Sequence, residues 1–224
     1  MKRPRAGPLL AGVGVAAALL YFVGLATGLP ALRLATKPFP VLALAAWVTL
    51  RCPRPLGRLT AAGLAFSAAG DVLLERGAFL PGLIGFLAAH LAYVAAFVSS
   101  DRRPALARAL PFLAWGLLVF LLLRPGLGPT ALPVGVYVAV ISAMMWRAAA
   151  RVGGPGTPAL AALVGLAGAV AFGASDTLIA FDRFRAPIPG VRWPVMGLYW
   201  LGQLGIAASA VLACGMLREK VTTR

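Results

Sequence analysis

The chain has 224 residues, of which 61% are apolar and only 12% charged. That mixture is too apolar to give one soluble core a water-facing skin, so the bilayer must be the solvent. Twenty-one Lys and Arg against six Asp and Glu give a net charge of +15, but the basic residues come in small groups between apolar runs and read as topology signals, with no nucleic-acid partner implied.

A spanning helix needs about 20 mainly apolar residues. In chain order, such runs cover approximately residues 8–27, 34–50, 58–75, 79–99, 105–123, 130–149, 157–181 and 192–216. This predicts an all-α, polytopic membrane bundle of about eight transmembrane helices in a single domain. The first run follows Met-Lys-Arg-Pro-Arg and has the outline of a signal peptide, yet the stretch Ala6–Thr27 is long enough to span and is expected to be retained. Turn chemistry and charge mark the breaks, as in Arg51-Cys-Pro-Arg-Pro, Asp101-Arg-Arg-Pro, Arg124-Pro-Gly and Gly153-Gly-Pro-Gly. Cys52 and Cys214 have no metal-ligand spacing and fall near predicted cytoplasmic helix ends, so both are expected to be incidental and unpaired.

Orientation follows from the Lys and Arg count. With the N-terminus inside, the inner segments hold Lys2, Arg3, Arg5, Arg51, Arg54, Arg58, Arg102, Arg103, Arg108, Arg147, Arg151, Arg218, Lys220 and Arg224, and the outer ones hold Arg33, Lys37, Arg76, Arg124, Arg183, Arg185 and Arg192. Fourteen against seven predicts both termini in the cytoplasm of a cell-membrane protein. The three arginines of the last outer loop resist the rule, as an anion-binding mouth or a plain topology exception would. AFSAAGDVLL (Ala65 to Leu74) echoes AFGASDTLI (Ala171 to Ile179), which would make residues 8–99 and 105–216 parallel halves.

Ionisable groups inside spans are costly and mark a function or an internal partner. Here they are Asp71 with Glu75 at its helix end, His90 and Asp176, with Asp182 and Arg183 just beyond. At about 1.5 Å per residue, Asp71 lies roughly 7 Å inside the end marked by Arg76, and Asp176 roughly 9 Å inside that marked by Asp182. Both carboxylates thus share one half of the bundle, into which Lys37, His90, Tyr199 and Gln203 also fall. The plainer alternatives are ion pairs of Asp71 with Arg76 and Asp176 with Arg183, a packing role for His90, an interfacial belt for Tyr199 and Trp200, helix-bridging for Gln203 and a solvated helix end for Glu75. Two carboxylates at one depth suit acid catalysis and proton-coupled transport alike, and the pattern does not separate them. With one His and no H-x-x-x-H spacing, no metal or other cofactor is expected.

At these residues the chain resembles the lysoplasmalogenase-like (YhhN) membrane family. The matching pieces are Lys37-Pro-Phe-Pro-Val-Leu, FSAAGDVLLE (Phe66 to Glu75), FLPGLIGFLAAHLAYVAAF (Phe79 to Phe97), FGASDTLIAFDRF (Phe172 to Phe184) and YWLGQLGIA (Tyr199 to Ala207). The resemblance implies an eight-helix hydrolase that cleaves the vinyl ether bond of a lysophospholipid substrate, a lysoplasmalogen, to a fatty aldehyde and a glycerophospho-base. Its polar positions carry over as Lys37, Asp71, His90, Asp176, Tyr199 and Gln203, and the carboxyl pair that acid cleavage of a vinyl ether needs would be Asp71 and Asp176, with neither assigned as the acid. Lys37 and Arg183 would hold the substrate phosphate, and His90, Tyr199 and Gln203 would position water or polarise the ether.

Overall fold

The computed structural model describes residues 6–222, with side chains as far as Met216. Among these residues the chain is all α, with nine α-helices and no strand. They are α1 (Ala6–Ala26), α2 (Pro30–Thr36), α3 (Phe39–Arg51), α4 (Pro55–Glu75), α5 (Phe79–Ser100), α6 (Leu110–Leu127), α7 (Ala131–Ala150), α8 (Ala159–Phe184) and α9 (Arg192–Thr222). Six stretches are long and apolar enough to cross a membrane, as befits a multi-pass membrane protein. One of them, Leu106–Ala150, is 45 residues long and folds back on itself as α6 and α7. Helix α4, which carries Arg58, Asp71 and Glu75, is not among the six. Large side chains such as Leu117, Leu118 and Leu121 on α6 point outward, because hydrocarbon outside the bundle solvates them as well as the core does.

Proline sets several helix starts. Prolines occupy the first turn of α2, α3, α4 and α6, where the missing N–H would have no partner anyway. Gly77 adopts φ 79°, and its N–H and that of Ala78 bond back to the Leu74 and Leu73 carbonyls, which ends α4 and turns the chain straight into α5.

The tightest helix pairs are α4 with α5 and α8 with α9. Glycines allow both. A Cβ on Gly85 would lie 3.1 Å from the Gly70 Cα, and one on Gly205 would lie 2.7 Å from the Gly168 Cα.

Three expectations need correction. The second run is not one helix: α2 and α3 meet at Lys37-Pro38, where the proline cannot donate to the ladder. The fifth run begins later than residue 105, because Pro104 and the left-handed Ala105 (φ 44°) precede a short 3-10 turn, and it continues through Arg124-Pro125-Gly126 to Leu127. Lastly, Cys52 and Cys214 are not unpaired. They form a disulfide across 162 residues with their Cα atoms 5.5 Å apart, because α3 packs against α9, a contact no local pattern announces. Of the inner basic residues, Lys2, Arg3, Arg5 and Arg224 lie outside the described residues, as do the side chains of Arg218 and Lys220.

Candidate active site

The C-terminal end of α4, the N-terminal end of α5 and the α8–α9 turn come together at one end of the bundle. Glu75 closes α4 there, and its side chain is only 5% exposed. It accepts hydrogen bonds from Arg33 Nε at 2.9 Å, Lys37 Nζ at 3.2 Å and Arg192 Nη1 at 3.3 Å. Glu75 is therefore no solvated end. It ties together three separate segments, α2, the α2–α3 break and α9.

One turn earlier on α4, Asp71 faces the interior at 2% exposure. Lys37 Nζ lies 3.7 Å from its Oδ1, and the Tyr199 hydroxyl donates to its Oδ2 at 2.7 Å. The Lys37-Pro38 interruption aims the lysine: a side chain leaving a broken helix can reach inward across α4. Tyr199 is 3% exposed and so belongs to the interior rather than to an interfacial belt.

A second constellation surrounds Asp176 on α8. Tyr137 of α7 donates to its Oδ2 at 2.5 Å, and His90 Nε2 of α5 lies 3.2 Å from the same oxygen. His90 Nε2 is also 2.9 Å from the Tyr137 hydroxyl, and its Nδ1 is 3.3 Å from the Met144 sulfur. Tyr137 escaped the sequence reading. The signal was present, since it sits seven residues into its span from the mouth end, at the depth of both carboxylates.

Phe172 stands between the two constellations, its ring centre 4.7 Å from that of His90 and 5.2 Å from that of Tyr199. Phe86 packs edge-on against both Phe172 and Tyr199. Gln203, one turn beyond Tyr199 on α9, accepts the Tyr93 hydroxyl at 2.7 Å in a fully buried contact. Neither alternative ion pair forms among the described residues. Asp71 pairs with Lys37 rather than Arg76, and Arg183 lies over the Phe79 ring, 3.7 Å from its centre, rather than against Asp176.

Two cavities adjoin these groups. A polar one of about 200 Å³ opens between Lys37, Glu75, Asp182, Arg183 and Arg192. An apolar one of about 60 Å³ is walled by Phe86, Trp115, Tyr137, Ile141 and Asp176. Leu74, Phe79 and Ile179 line both, so the two share a wall. The apolar cavity has room for a short piece of hydrocarbon, not a whole chain. Any longer tail would continue among the lipid-facing side chains. Among the described residues, no group of three or more His, Cys, Asp or Glu is placed to hold a metal ion.

A model of the YhhN family matches residues 32–210. Lysoplasmalogenase TMEM86B of Homo sapiens is 36% identical over 187 residues, covering 78% of this chain and 74% of its own length. Lysoplasmalogenase TMEM86A of Bos taurus is 38% identical over 155 residues, covering 66% of this chain and 63% of its own length. A lysoplasmalogenase of Mycobacterium tuberculosis (strain CDC 1551 / Oshkosh) is 33% identical over 157 residues, covering 65% and 57%. The chain thus spans under two thirds of the last two relatives. No solved structure matches the chain.

Proposed function

The chain belongs to the YhhN family, and from that membership we propose that it is a membrane-embedded hydrolase that cleaves the vinyl ether bond of lysoplasmalogens. The observation that carries the reading is a cation-lined mouth and an apolar cavity that share a wall, with Asp176 on the apolar cavity and Asp71 buried behind the mouth against Lys37. The cation-lined mouth suits a phosphate, the apolar cavity suits the start of an alkenyl chain, and the bond to be cut lies where headgroup and chain meet. Named relatives in two mammals and a mycobacterium support the same chemistry. The transporter alternative has no such support.

Vinyl ether hydrolysis needs a proton delivered to the enol carbon and an anion to support the oxocarbenium ion that results. Water then adds, and the hemiacetal collapses to aldehyde and alcohol. A carboxyl pair supplies both needs, as in glycoside hydrolysis, where one carboxyl donates while the other supports the cation. Asp71 and Asp176 are the pair. Lys37 and Arg183 hold the phosphate at the mouth, while His90, Tyr199 and Gln203 order the polar groups around the ether. Both helix pairs with glycine seams, α4–α5 and α8–α9, present one aspartate each, which is the arrangement parallel halves would produce.

The same reading makes α2 and α3 together one pass, giving eight passes with both termini in the cytoplasm of the cell membrane and the mouth on the outer side. Aldehyde release from a lysoplasmalogen by the purified protein tests the activity. We expect Asp71→Asn and Asp176→Asn each to lower turnover by about 10²-fold or more, the usual worth of acid–base catalysis. Unchanged release in both variants would sink the proposal, as would a native protein that releases no aldehyde.

A further inference from the structure

The two aspartates are not equivalent. Asp71 is 2% exposed, is tied to Lys37 and Tyr199, and lines neither cavity. Asp176 lines the apolar cavity together with Tyr137. Its Oδ2 takes the Tyr137 hydroxyl at 2.5 Å and faces His90 Nε2 at 3.2 Å, and the triangle closes with 2.9 Å between ring and hydroxyl. Its Oδ1 has no hydrogen bond among the described residues.

The carbon that accepts the proton in a vinyl ether belongs to the apolar chain, so the donor must stand on the wall of the chain's cavity. Among the described residues, Asp176 is the one carboxyl that does. We infer that Asp176 is the acid and that Tyr137 is the positioning residue that fixes it. The inference rests on the lysoplasmalogenase reading.

Tyr137 acts by occupying Oδ2, which leaves Oδ1 to carry the reactive proton. The Oδ1–H bond breaks as the enol π pair forms the new C–H bond, and an ether oxygen lone pair generates the oxocarbenium ion. Water oxygen adds to the cationic carbon and its proton returns to the Asp176 carboxylate. The hemiacetal C–O bond then breaks as the Asp176 carboxyl protonates the leaving ether oxygen to give the alcohol, and the hemiacetal O–H pair forms the aldehyde C=O while its proton returns to the carboxylate. The triangle is enclosed by the Phe172 ring and the Met144 sulfur, where a hydrogen bond into the carboxyl is stronger than it would be in water.

Tyr137→Phe keeps the ring against His90 and deletes only the hydroxyl. The expected result is a fall in kcat of at least tenfold. KM, and affinity for a saturated alkyl-ether lysolipid that cannot be protonated, should stay within twofold. Fluorotyrosine at position 137, an isosteric and stronger donor, should change kcat at least threefold with the same binding. The inference is overturned if kcat stays within twofold of native in both proteins, or if kcat and analogue binding fall together. Native protein and Asp176→Asn run alongside separate the two levels of failure. A native protein that releases no aldehyde removes the parent reading. An active native protein with inactive Asp176→Asn and fully active Tyr137→Phe removes this inference alone.

Discussion

Glu75 shows how a residue's surroundings can reverse its apparent meaning. As the last acid of an apolar run, followed by Arg76 and Gly77, it has the local look of a solvated helix end. Its three cations come from residues 33, 37 and 192, and no window of sequence contains them together. Replacing Glu75 with Gln would leave three positive charges around a neutral amide at a site with 5% exposure. Breaking a buried pair by removing one partner costs about 3–5 kcal/mol. The exposure of Arg192, 56% at the side chain, places the expected cost at the lower end. Thermal unfolding in detergent should therefore show Glu75→Gln destabilised by about 3 kcal/mol, with Arg192→Gln within about 1 kcal/mol of native. Equal melting temperatures for Glu75→Gln and native protein would contradict this account. Asp71, Asp176, Lys37, His90 and Tyr199 were legible because charge or polarity inside a span is rare, and helical rise alone gives their depth. Which of them touch was not legible, since that depends on helix rotation.

At the scale of elements, helix existence and length followed from apolar runs, while the joints did not. The α2–α3 break and the late start of α6 both turn on single prolines whose effect depends on what lies opposite. Close approach of α8 and α9 is likewise a matter of three glycines, Gly168, Gly202 and Gly205, that look like any others in an Ala- and Gly-rich chain. The backbone contact gives them their weight. Gly205→Ala would drive a Cβ to 2.7 Å from the Gly168 Cα and force the helices apart, at a cost of about 1–3 kcal/mol for overpacking. Gly12→Ala on α1 has nothing within 4 Å and should leave the melting temperature unchanged. A Gly205→Ala protein as stable and as active as Gly12→Ala would refute the packing argument.

The loop after α5 holds a pH-sensitive joint of another kind. There the Arg103 guanidinium, hydrogen-bonded to Asp101, holds the Asp101 carboxyl below the usual carboxylate range, and Arg147 bonds the Asp101 and Arg103 carbonyls. A depressed carboxyl stabilises the fold fully above its unfolded value of about 4 and loses that contribution as pH falls through the folded one. Arg103 is 47% exposed, so solvent screening keeps the effect small. Asp101→Asn should slightly flatten the acid limb of stability below pH 4, and an unchanged limb would show that the pair carries none of it.

The whole molecule is polarised from end to end. One end holds the mouth of Lys37, Glu75 and Arg192. The other holds Asp101, Arg147 and a fully buried Arg151, whose Nη1 bonds Ser209 at 2.9 Å and whose guanidinium lies 5.0 Å from the Phe97 ring centre. Charge counting turns this second end toward the cytoplasm. The Cys52–Cys214 disulfide also lies there, and cytoplasmic thiols are kept reduced. The two facts oppose each other, and cysteine chemistry in intact cells decides between them. With the mouth outside, Ala186→Cys in the exposed α8–α9 turn should react with a membrane-impermeant maleimide. Protein trapped with an alkylating agent during extraction should then carry Cys52 and Cys214 as free thiols that pair only after exposure to air. An Ala186→Cys protein that is silent from outside, with Cys52 and Cys214 recovered already oxidised, would invert the bundle. The proposed catalytic groups would keep their geometry in that case, but a substrate lipid would enter from the cytoplasmic leaflet, so under the proposed function the orientation also fixes which leaflet the mouth can reach.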